Sequence, residues 1–349
     1  MRFLKKIIFF ANILLVIGLL ISYLSPFFDP NQYWIFSIFG LFYPVLLLAN
    51  VAMIVFWMFV KFKYLFASLI AILIGWNHLE GFINFSSVEK NKDAIEVMSY
   101  NVNFLLNLRN GTKKQKLQSK EKFESFLSFH SDVDIFCLQE TSSFSRDIMK
   151  KTFKDYHSHE IDQKGTFILS KFPLLRKGQI DFGTRTNSCL WADMLIEGDT
   201  VRVYSMHLQS NKVSADAVDV IDNANLQEKK TWNGIRGILT KYSSTSKIRA
   251  QEAKMVRDHA ANSPYQTMLI GDFNDPPTSF IYKELSDGYK DSFKEAGAGI
   301  GTTYAGKLPM LRIDYILVEE NWDVLSFKVL KEDYSDHYAI VGSYLLESE

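Results

Sequence analysis

The sequence has few of the residues and motifs that identify several common classes of protein. Its 349 residues include only two cysteines, Cys137 and Cys189. It contains no Cys/His spacing typical of a zinc site, no Walker loop and no dinucleotide-binding fingerprint. Both cysteines lie in apolar, strand-like runs, so we expect buried thiols that pack as small apolar groups. A disulfide between them needs Cα atoms within about 7 Å, a distance that the sequence does not give.

The chain has no excess of charge of either sign. Lysine plus arginine and aspartate plus glutamate each number 39, which gives a formal net charge of zero. The N-terminal stretch 1–85 holds five of the basic and two of the acidic residues, so the remainder carries 34 basic and 37 acidic residues. Because duplex nucleic acid is usually bound through a basic surface, this slightly acidic balance weakens the case for a nuclease.

Three apolar runs occupy the N-terminal stretch 1–85. A membrane-spanning helix needs about 20 predominantly apolar residues. Residues 7–24 and 33–60 carry no charge, and a third run begins at position 64 and ends just before Glu80. We predict a transmembrane segment over 1–85 with about three helices, at 7–24, 33–60 and 64–83. The second is expected to tilt or kink at Pro44, and the third is of marginal length. No small-residue cleavage site follows the first run, which disfavours a signal peptide.

The basic residues of this segment predict its orientation, because they are concentrated in cytoplasmic loops. They are Arg2, Lys5 and Lys6 before the first run, and Lys61 and Lys63 between the second and third. The loop over 25–32 has none. We predict a multi-pass protein of the cytoplasmic (inner) membrane, with the C-terminal domain on the outer, periplasmic side. If the third run only lies on the membrane surface, that domain is cytoplasmic instead.

A polar stretch over 86–94 predicts a linker to a domain spanning 95–349. The pattern there predicts a helix over 113–130, a strand pair at 155–160 and 166–169, and a hairpin of 188–196 with 200–208. Residues 213–261 have a polar, helical pattern. Its basic residues are expected on a solvated face, with contact to anionic lipid or substrate as the less favoured alternative.

The most informative stretch is MLIGDFND, residues 268–275. An apolar run leads directly into Asp272 and Asn274, and two prolines follow, which predicts a buried strand that ends in a turn. Asp272 can accept a proton or face a cation, and Asn274 can donate to an anionic oxygen. This pair suits phosphate-ester chemistry, although the same residue types also cap turns.

Five further β-rich runs carry a polar residue at or near one end, or in their interior. They are IEVMSYNVN with Asn101, DIFCLQE with Glu140, VRVYSMHLQ with His207, RIDYILV with Asp314, and YSDHYAIVGSYLL with Asp336 and His337. A parallel or mixed α/β sheet places such residues together in one crevice.

With these motifs, in this order, the chain resembles the endonuclease/exonuclease/phosphatase superfamily, including its deoxyribonuclease-like and neutral sphingomyelinase-like members. The resemblance covers about residues 94–346. It implies a four-layered, deoxyribonuclease-like α/β sandwich, here preceded by the transmembrane helical segment. It also implies hydrolysis of a phosphate mono- or diester by an activated water.

The resemblance also implies a role for each polar residue. Glu140 corresponds to the principal ligand of Mg²⁺ or Mn²⁺, with Asn101 beside it and Asp336 as a second metal contact. His337 corresponds to the general base or to a phosphate-stabilising imidazolium, and Asp314 to the acid that orients it. Asp272 corresponds to the residue that orients or deprotonates the water, Asn274 to a donor to the phosphoryl oxygen, and His207 to a contact with the phosphate or leaving group.

We therefore expect a membrane-anchored, metal-dependent phosphoesterase. Its substrate is a lipid headgroup, a nucleic acid or a small phosphoester, and no obligate protein partner is expected. The alternatives are a membrane-anchored endo- or exonuclease that acts on DNA or RNA, and a catalytically inactive binding domain. Retention of every expected polar position argues against the last of these.

Overall fold

The structure is a computed structural model that describes residues 2–86, 89, 91–105, 112–161, 164–184, 186–211, 228–306 and 309–346. Its helices are α1 Arg2–Ser22, α2 Pro30–Tyr33, α3 Ile35–Leu41, α4 Tyr43–Val60, α5 Leu65–Ile74, α6 Trp76–Leu79, α7 Lys113–Phe129, α8 Ser143–Thr152, α9 Lys229–Ala261, α10 Phe280–Ser286 and α11 Ser292–Ala296. Its strands are β1 Ile83–Phe85, β2 Ile95–Asn101, β3 Ile135–Gln139, β4 His157–Glu160, β5 Phe167–Ser170, β6 Leu174–Ile180, β7 Ser188–Ile196, β8 Asp199–His207, β9 Gln266–Asp272, β10 Lys290–Asp291, β11 Ala298–Ile300, β12 Asp314–Val318, β13 Trp322–Leu330 and β14 Ala339–Leu346.

Helices α1, α4 and α5 pack against one another and form an N-terminal bundle. A buried chain of polar side chains connects all three. The Trp57 indole N–H donates to Asn12 Oδ1 over 2.7 Å, and Asn12 Nδ2 donates to Ser68 Oγ over 2.7 Å. Because an unpaired polar group is costly in an apolar environment, these bonds favour one arrangement of the three helices.

Two helices of the bundle are long and apolar enough to cross a membrane, Phe3–Phe27 and Tyr43–Val60. The second apolar run is not one helix over 33–60 as predicted, since α2, α3 and α4 divide it, with a break at Phe42. Pro44 lies in the first turn of α4, where backbone N–H groups form no hydrogen bond within the helix, so proline causes no kink there. The helix formed by the third run is also shorter than the predicted 64–83, because α5 ends at Ile74 and Gly75 separates it from α6.

The C-terminal domain contains two six-stranded sheets, with strand orders β13-β14-β2-β3-β5-β4 and β10-β12-β9-β8-β7-β6. Apolar side chains of both sheets form one buried core between them. A second core lies under α7 and α8, and a third under α9 and α10. This order of helix, sheet, sheet and helix confirms the predicted four-layered α/β sandwich.

Several predicted elements coincide closely with the observed ones, including the hairpin of β7 and β8 and the helix that begins at Lys113. The two cysteines are free and fully buried, Cys137 in β3 and Cys189 in β7. Residues 212–227, which include the first part of the predicted helical insert over 213–261, lie outside the described residues, and so does part of the predicted linker over 86–94. The rest of the insert is α9.

The bundle contacts the C-terminal domain at the end where α1 leads into α4. The Asp29 carboxylate forms an ion pair with Lys254 of α9 at 2.5 Å. The Thr278 hydroxyl donates to the Gly40 carbonyl of α3 over 2.8 Å. Beyond α6, strand β1 pairs in antiparallel fashion with β11, a strand that lies within the C-terminal domain. The connection between α1 and α4 and the exit from α6 therefore meet the same part of the domain.

Candidate active site

Strand pairing places three of the predicted residues next to one another in the sheet that contains β8, β9 and β12. His207 ends β8 and is paired with Asp272, which ends β9. Asp272 is in turn paired with Asp314, the first residue of the antiparallel strand β12. Two buried acids and a buried imidazole therefore lie side by side at one edge of the sheet.

The first sheet supplies the other residues from the facing layer. Asn101 ends β2, and Glu140 directly follows the parallel neighbour β3. Asn101 Nδ2 connects the two sheets, since it donates to Asp272 Oδ2 over 3.0 Å and lies 3.4 Å from Glu140 Oε1. Asp336 and His337 lie just before β14, separated from it by Tyr338, and β14 pairs with β2. All eight predicted site residues thus lie at adjoining ends of the two sheets.

The backbone at this edge adopts conformations that are uncommon away from functional sites. Glu140 and Asn274 have φ of +49° and +56°, which is the left-handed region. Asn274 N donates to Asp272 Oδ1 over 2.8 Å, and this bond closes a turn around Phe273. Gly271 has φ of +137°, and a Cβ atom there would lie 2.0 Å from the Met206 carbonyl oxygen. Glycine is therefore required immediately before Asp272.

His337 and Asp314 form a hydrogen-bonded pair. Nδ1 of His337 lies 3.0 Å and 3.2 Å from the two carboxylate oxygens of Asp314. The backbone N–H groups of Ile313 and Asp314 both donate to Thr303 Oγ1, which fixes the start of β12. Burial acts to lower the pKa of His337, but Asp314 and Asp272 outweigh it and raise that pKa to about 10. The pair therefore favours an imidazolium whose Nε2 faces Asp272 at 3.8 Å.

The remaining titratable groups of the site are shifted mainly by burial. Burial raises the pKa of Asp272 to about 6, against the opposing effect of the His337 charge. Burial also raises the pKa of Glu140 and lowers that of His207. The cluster thus combines one histidine that favours its charged form, one that favours its neutral form, and an acid that titrates near neutrality.

His207 has both ring nitrogens buried without a hydrogen-bond partner among the described residues. Its Nε2 lies 3.5 Å from Glu140 Oε1 and 3.7 Å from Asp272 Oδ2, outside good hydrogen-bonding geometry. Buried polar atoms normally have a partner. These two atoms therefore indicate that a polar ligand completes the site.

The oxygen donors of the site suit a hard divalent cation. The Glu140 side chain is about one-fifth exposed and faces the Asn101 amide. Asp336 is bonded through Oδ1 to Asn103 Nδ2 at 2.8 Å, and Asn103 N donates to Asn101 Oδ1. Polar atoms of Asp272, Asp314 and His337 also lie within 4.8 Å of one another. Because His337 Nδ1 is hydrogen-bonded to Asp314, the set of Asp272, Asp314 and His337 is better suited to proton transfer than to binding a cation.

The amide of Asn274 is partly used within the protein, since Nδ2 donates to the Leu208 carbonyl over 3.1 Å. Its second N–H is the one that can serve a phosphoryl oxygen, as the sequence predicts for this residue. Next to it, Asp275 is fully buried and bonded to Arg249 Nε at 3.0 Å and to the Tyr242 hydroxyl at 2.6 Å. This buried network holds the turn after β9 against α9.

Sequence reasoning missed several residues that support the site. Ser335 Oγ donates to the Asn101 carbonyl and accepts from His337 N. Asn103 joins Asp336 to Asn101, and Thr303 holds Asp314. The Tyr304 ring, in the glycine-rich segment 296–306, lies edge-on to the His337 ring at 5.1 Å. Ser335 and Asn103 each lie two residues from a predicted site residue, and only that proximity could have pointed to them, because their other partners are distant in sequence.

Comparison with known proteins gives two family matches. Residues 98–337 match the model of the endonuclease/exonuclease/phosphatase family, and residues 5–82 match a domain of unknown function. No curated protein matches the chain.

Solved structures with the same fold are similar to about 73% of the chain at low sequence identity. A family protein from Bacteroides thetaiotaomicron is 18% identical with a TM-score of 0.54, and the match covers 73% of this chain and 98% of that one. A mannosyl-6-phosphatase of Bacteroides thetaiotaomicron VPI-5482 is 18% identical with a TM-score of 0.51, covering 72% and 100%. TDP2 of D. rerio, solved with a single-strand DNA product, is 18% identical with a TM-score of 0.52, covering 72% and 99%.

Proposed function

Because the chain belongs to the endonuclease/exonuclease/phosphatase family of phosphoester hydrolases, we propose that it is a membrane-anchored phosphoesterase that uses Mg²⁺ or Mn²⁺. The observation that carries this proposal is the joining of two sheet edges through Asn101, which brings Glu140, Asp272 and the His337–Asp314 pair into one buried cluster. Hydrolysis of a phosphate ester needs a charged phosphoryl group to be neutralised, a water to be deprotonated and a leaving oxygen to be stabilised.

The shifted pKa values support a division of these tasks. Asp272, with a pKa near neutrality, is suited to accept the proton of the attacking water. His337 is suited to donate from Nε2 to a phosphoryl oxygen, because Asp314 stabilises its charged form. Asn274 would donate to the same phosphoryl group. His207 has unpaired nitrogens near Glu140 and is suited to contact the phosphate or the leaving oxygen.

Glu140 and Asn101 would hold the cation, with Asp336 as a further contact. These are oxygen donors without thiolates, as hard ions prefer. A cation bound there supplies positive charge to the phosphoryl oxygens and to the leaving oxygen. Asp336 is held at the edge of the cluster by Asn103, so we assign it a weaker contribution than Glu140.

The decisive experiment for this function is an assay of the purified full-length protein with Mg²⁺ or Mn²⁺. Synthetic mono- and bis-p-nitrophenyl phosphates, lipid phosphoesters, inositol phosphates, plasmid DNA, RNA and single-stranded DNA form the panel. We expect hydrolysis of at least one ester, and its loss in a His337→Ala variant. A protein that is folded and metal-loaded, yet inactive on the whole panel, would contradict the proposal.

A nuclease is the second candidate, and one surface feature favours it. A groove of about 610 Å³ beside the start of α8 is lined by Lys113, Lys116 and Lys120 together with Phe144. Ser142 of this groove is two residues beyond Glu140. A basic groove with an aromatic side chain suits single-stranded nucleic acid. Preferential cleavage of single-stranded DNA in the panel, weakened by Lys116→Gln, would favour this candidate.

We also propose that the chain crosses the membrane three times and that the C-terminal domain is outside the cytoplasm. The contacts of Asp29 and Gly40 with this domain support a location on the same side as the connection between α1 and α4. Lys61 and Lys63 lie at the other end of α4, and basic residues favour the cytoplasmic side. The chain from Lys63 to Phe82 must then cross back, since Phe82 again contacts the domain.

This topology predicts how a membrane-impermeant maleimide labels two variants of the full chain, each with one added cysteine. Asp199→Cys, at the exposed first residue of β8, should react from outside in cells whose cytoplasmic membrane is accessible to the reagent. Lys63→Cys should react only after permeabilisation. The native thiols are buried and should remain unlabelled. Reaction of Asp199→Cys only after permeabilisation would place the domain in the cytoplasm, and the same accessibility of both variants would contradict the third crossing.

A further inference from the structure

We propose that the active site opens at the membrane surface and that its substrate is the phosphoester of a membrane lipid headgroup. This inference rests on the proposed function and selects among its substrate classes. It depends on two loops that bring site residues to the bundle, 274–278 and 301–305, which we call the catalytic rim. Both loops are held by the end of the bundle at which α1 leads into α4 and α6 leads into β1.

The first loop of the catalytic rim joins Asn274 to the bundle. Thr278 Oγ1 donates to the Gly40 carbonyl over 2.8 Å, and this hydroxyl is fully buried. Pro277 packs on Gly81 so closely that a Cβ atom at Gly81 would lie 2.8 Å from it. Because Thr278 is four residues beyond Asn274, at most about 14 Å of chain separates this contact from the site.

The second loop joins the surroundings of His337 to the bundle by a different route. Gly301 N donates to the Phe82 carbonyl over 2.9 Å, next to the pairing of β1 with β11. Three residues further on, Tyr304 lies against the His337 ring. Ala305 N then donates to the Asp336 carbonyl over 2.8 Å. The loop therefore runs from the membrane segment to the site over a short stretch of chain.

Exposed aromatic side chains mark the level of the membrane interface at this end of the bundle. Tyr33 ends α2 and Trp34 separates it from α3, and they are 52% and 38% exposed. Trp76, at the start of α6, is 52% exposed. Tyrosine and tryptophan are enriched where apolar lipid meets the headgroups. Trp34 precedes Gly40 by six positions, and Trp76 precedes Phe82 by six. Because each tryptophan is close along the chain to a residue that contacts the catalytic rim, we infer that the interface and the rim lie at a similar level.

This position favours a substrate that is confined to the same surface. An enzyme with its rim at headgroup level meets lipid phosphoesters at a high effective concentration, whereas a soluble ester gains nothing from the anchor. The catalytic rim contains no lysine or arginine, and the chain beyond residue 85 is slightly acidic, so the rim offers no basic surface that would favour a polyanion. A headgroup phosphoester fits these conditions better than a nucleic acid.

The position of the rim is tested by fluorescence quenching in proteoliposomes. A fluorophore on Ala305→Cys, whose side chain is exposed and has no assigned catalytic role, is compared with one on Asp199→Cys at the far end of β8. With spin-labelled headgroup lipids in the vesicles, we expect strong quenching at position 305 and little at position 199. Equal quenching at both positions, or none at 305, would overturn the inference whatever the enzymatic activity.

The substrate class is tested with two esters that share a leaving group. Hexadecyl p-nitrophenyl phosphate in phosphatidylcholine vesicles is compared with soluble ethyl p-nitrophenyl phosphate, using the full-length protein in the same vesicles. We expect a rate on the lipid-anchored ester that is at least about tenfold higher at equal bulk concentration, and that falls as phosphatidylcholine dilutes the ester. Equal rates, or faster hydrolysis of the soluble ester, would overturn the lipid assignment. Loss of both activities in otherwise folded protein would instead count against the proposed function.

Discussion

Replacement of His337 by alanine should lower kcat/KM by a factor of about 10² to 10⁴ while the fold is retained. The charged imidazole faces Asp272 and the space where a phosphoryl group would bind, and Asp314 holds its ring and its protonation state. Loss of this donor removes charge stabilisation that is needed mainly in the transition state. The measurement is turnover of bis-p-nitrophenyl phosphate, or of the best ester in the panel, with circular dichroism of each variant.

The hydrogen-bonded pair of His337 and Asp314 leads to a second prediction, which the same set of variants tests. Asp314→Asn should have a comparable or milder effect, because Asp314 acts through His337. In the double variant the two losses should not multiply, since a missing imidazole leaves its orienting acid with nothing to orient. His337→Gln provides a bulkier replacement if the alanine variant folds poorly. Near-normal turnover without His337, or independent losses at the two positions, would show that the pair does not act as a unit.

Asp272→Asn should reduce activity by a similar factor of about 10² to 10⁴ and yet leave the melting temperature nearly unchanged. Burial raises the pKa of this acid to about 6, so the folded state already disfavours its charge. Asparagine has the same size and removes the buried charge, which offsets the loss of one of the two hydrogen bonds that the carboxylate accepts from Asn101 Nδ2 and Asn274 N. It cannot accept the proton of the attacking water. Thermal melting and kcat/KM measured on the same preparations separate the two effects.

Asp287→Asn is the matched control, because Asp287 is an exposed carboxylate that follows α10. Its activity and stability should equal those of the wild type. If Asp272→Asn retained wild-type turnover, the water would have another proton acceptor, and the role assigned to Asp272 would be wrong.

The fold was predictable where apolar alternation is interrupted by turn residues. In the hairpin, β7 has its predicted bounds and β8 differs from its own by one residue, because Glu197 and Gly198 separate two strongly β-forming runs. The predicted site residues lie at strand ends, and the pairing of neighbouring strands places these ends side by side whatever the conformation of the connecting loops. His207, Asp272 and Asp314 therefore adjoin although the whole of α9 lies between the first two in the chain.

Other features depend on contacts that no local pattern encodes. The break at Phe42 divides a run that is uniformly apolar in sequence, and the shorter third helix ends at a glycine that also packs against Tyr23. The hydrogen bonds from Thr278 to Gly40 and from Gly301 to Phe82 connect the N-terminal bundle to the C-terminal domain across more than 200 residues of sequence. The roles of Thr303 and Asn103 likewise arise from tertiary packing, since polar residues in loops are common and carry no signal alone.

The central claim is that Glu140 belongs to a divalent-metal centre for phosphoester hydrolysis. Its most direct test is a titration of Mg²⁺ or Mn²⁺ against hydrolysis by the wild type and by Glu140→Gln, with exposed Glu121→Gln as the control. We expect chelation with EDTA to abolish activity and added metal to restore it. The half-saturating metal concentration should rise by about tenfold or more in Glu140→Gln and stay unchanged in the control. Undiminished hydrolysis by wild-type protein shown to be free of metal, or identical titrations for Glu140→Gln and the wild type, would contradict the claim.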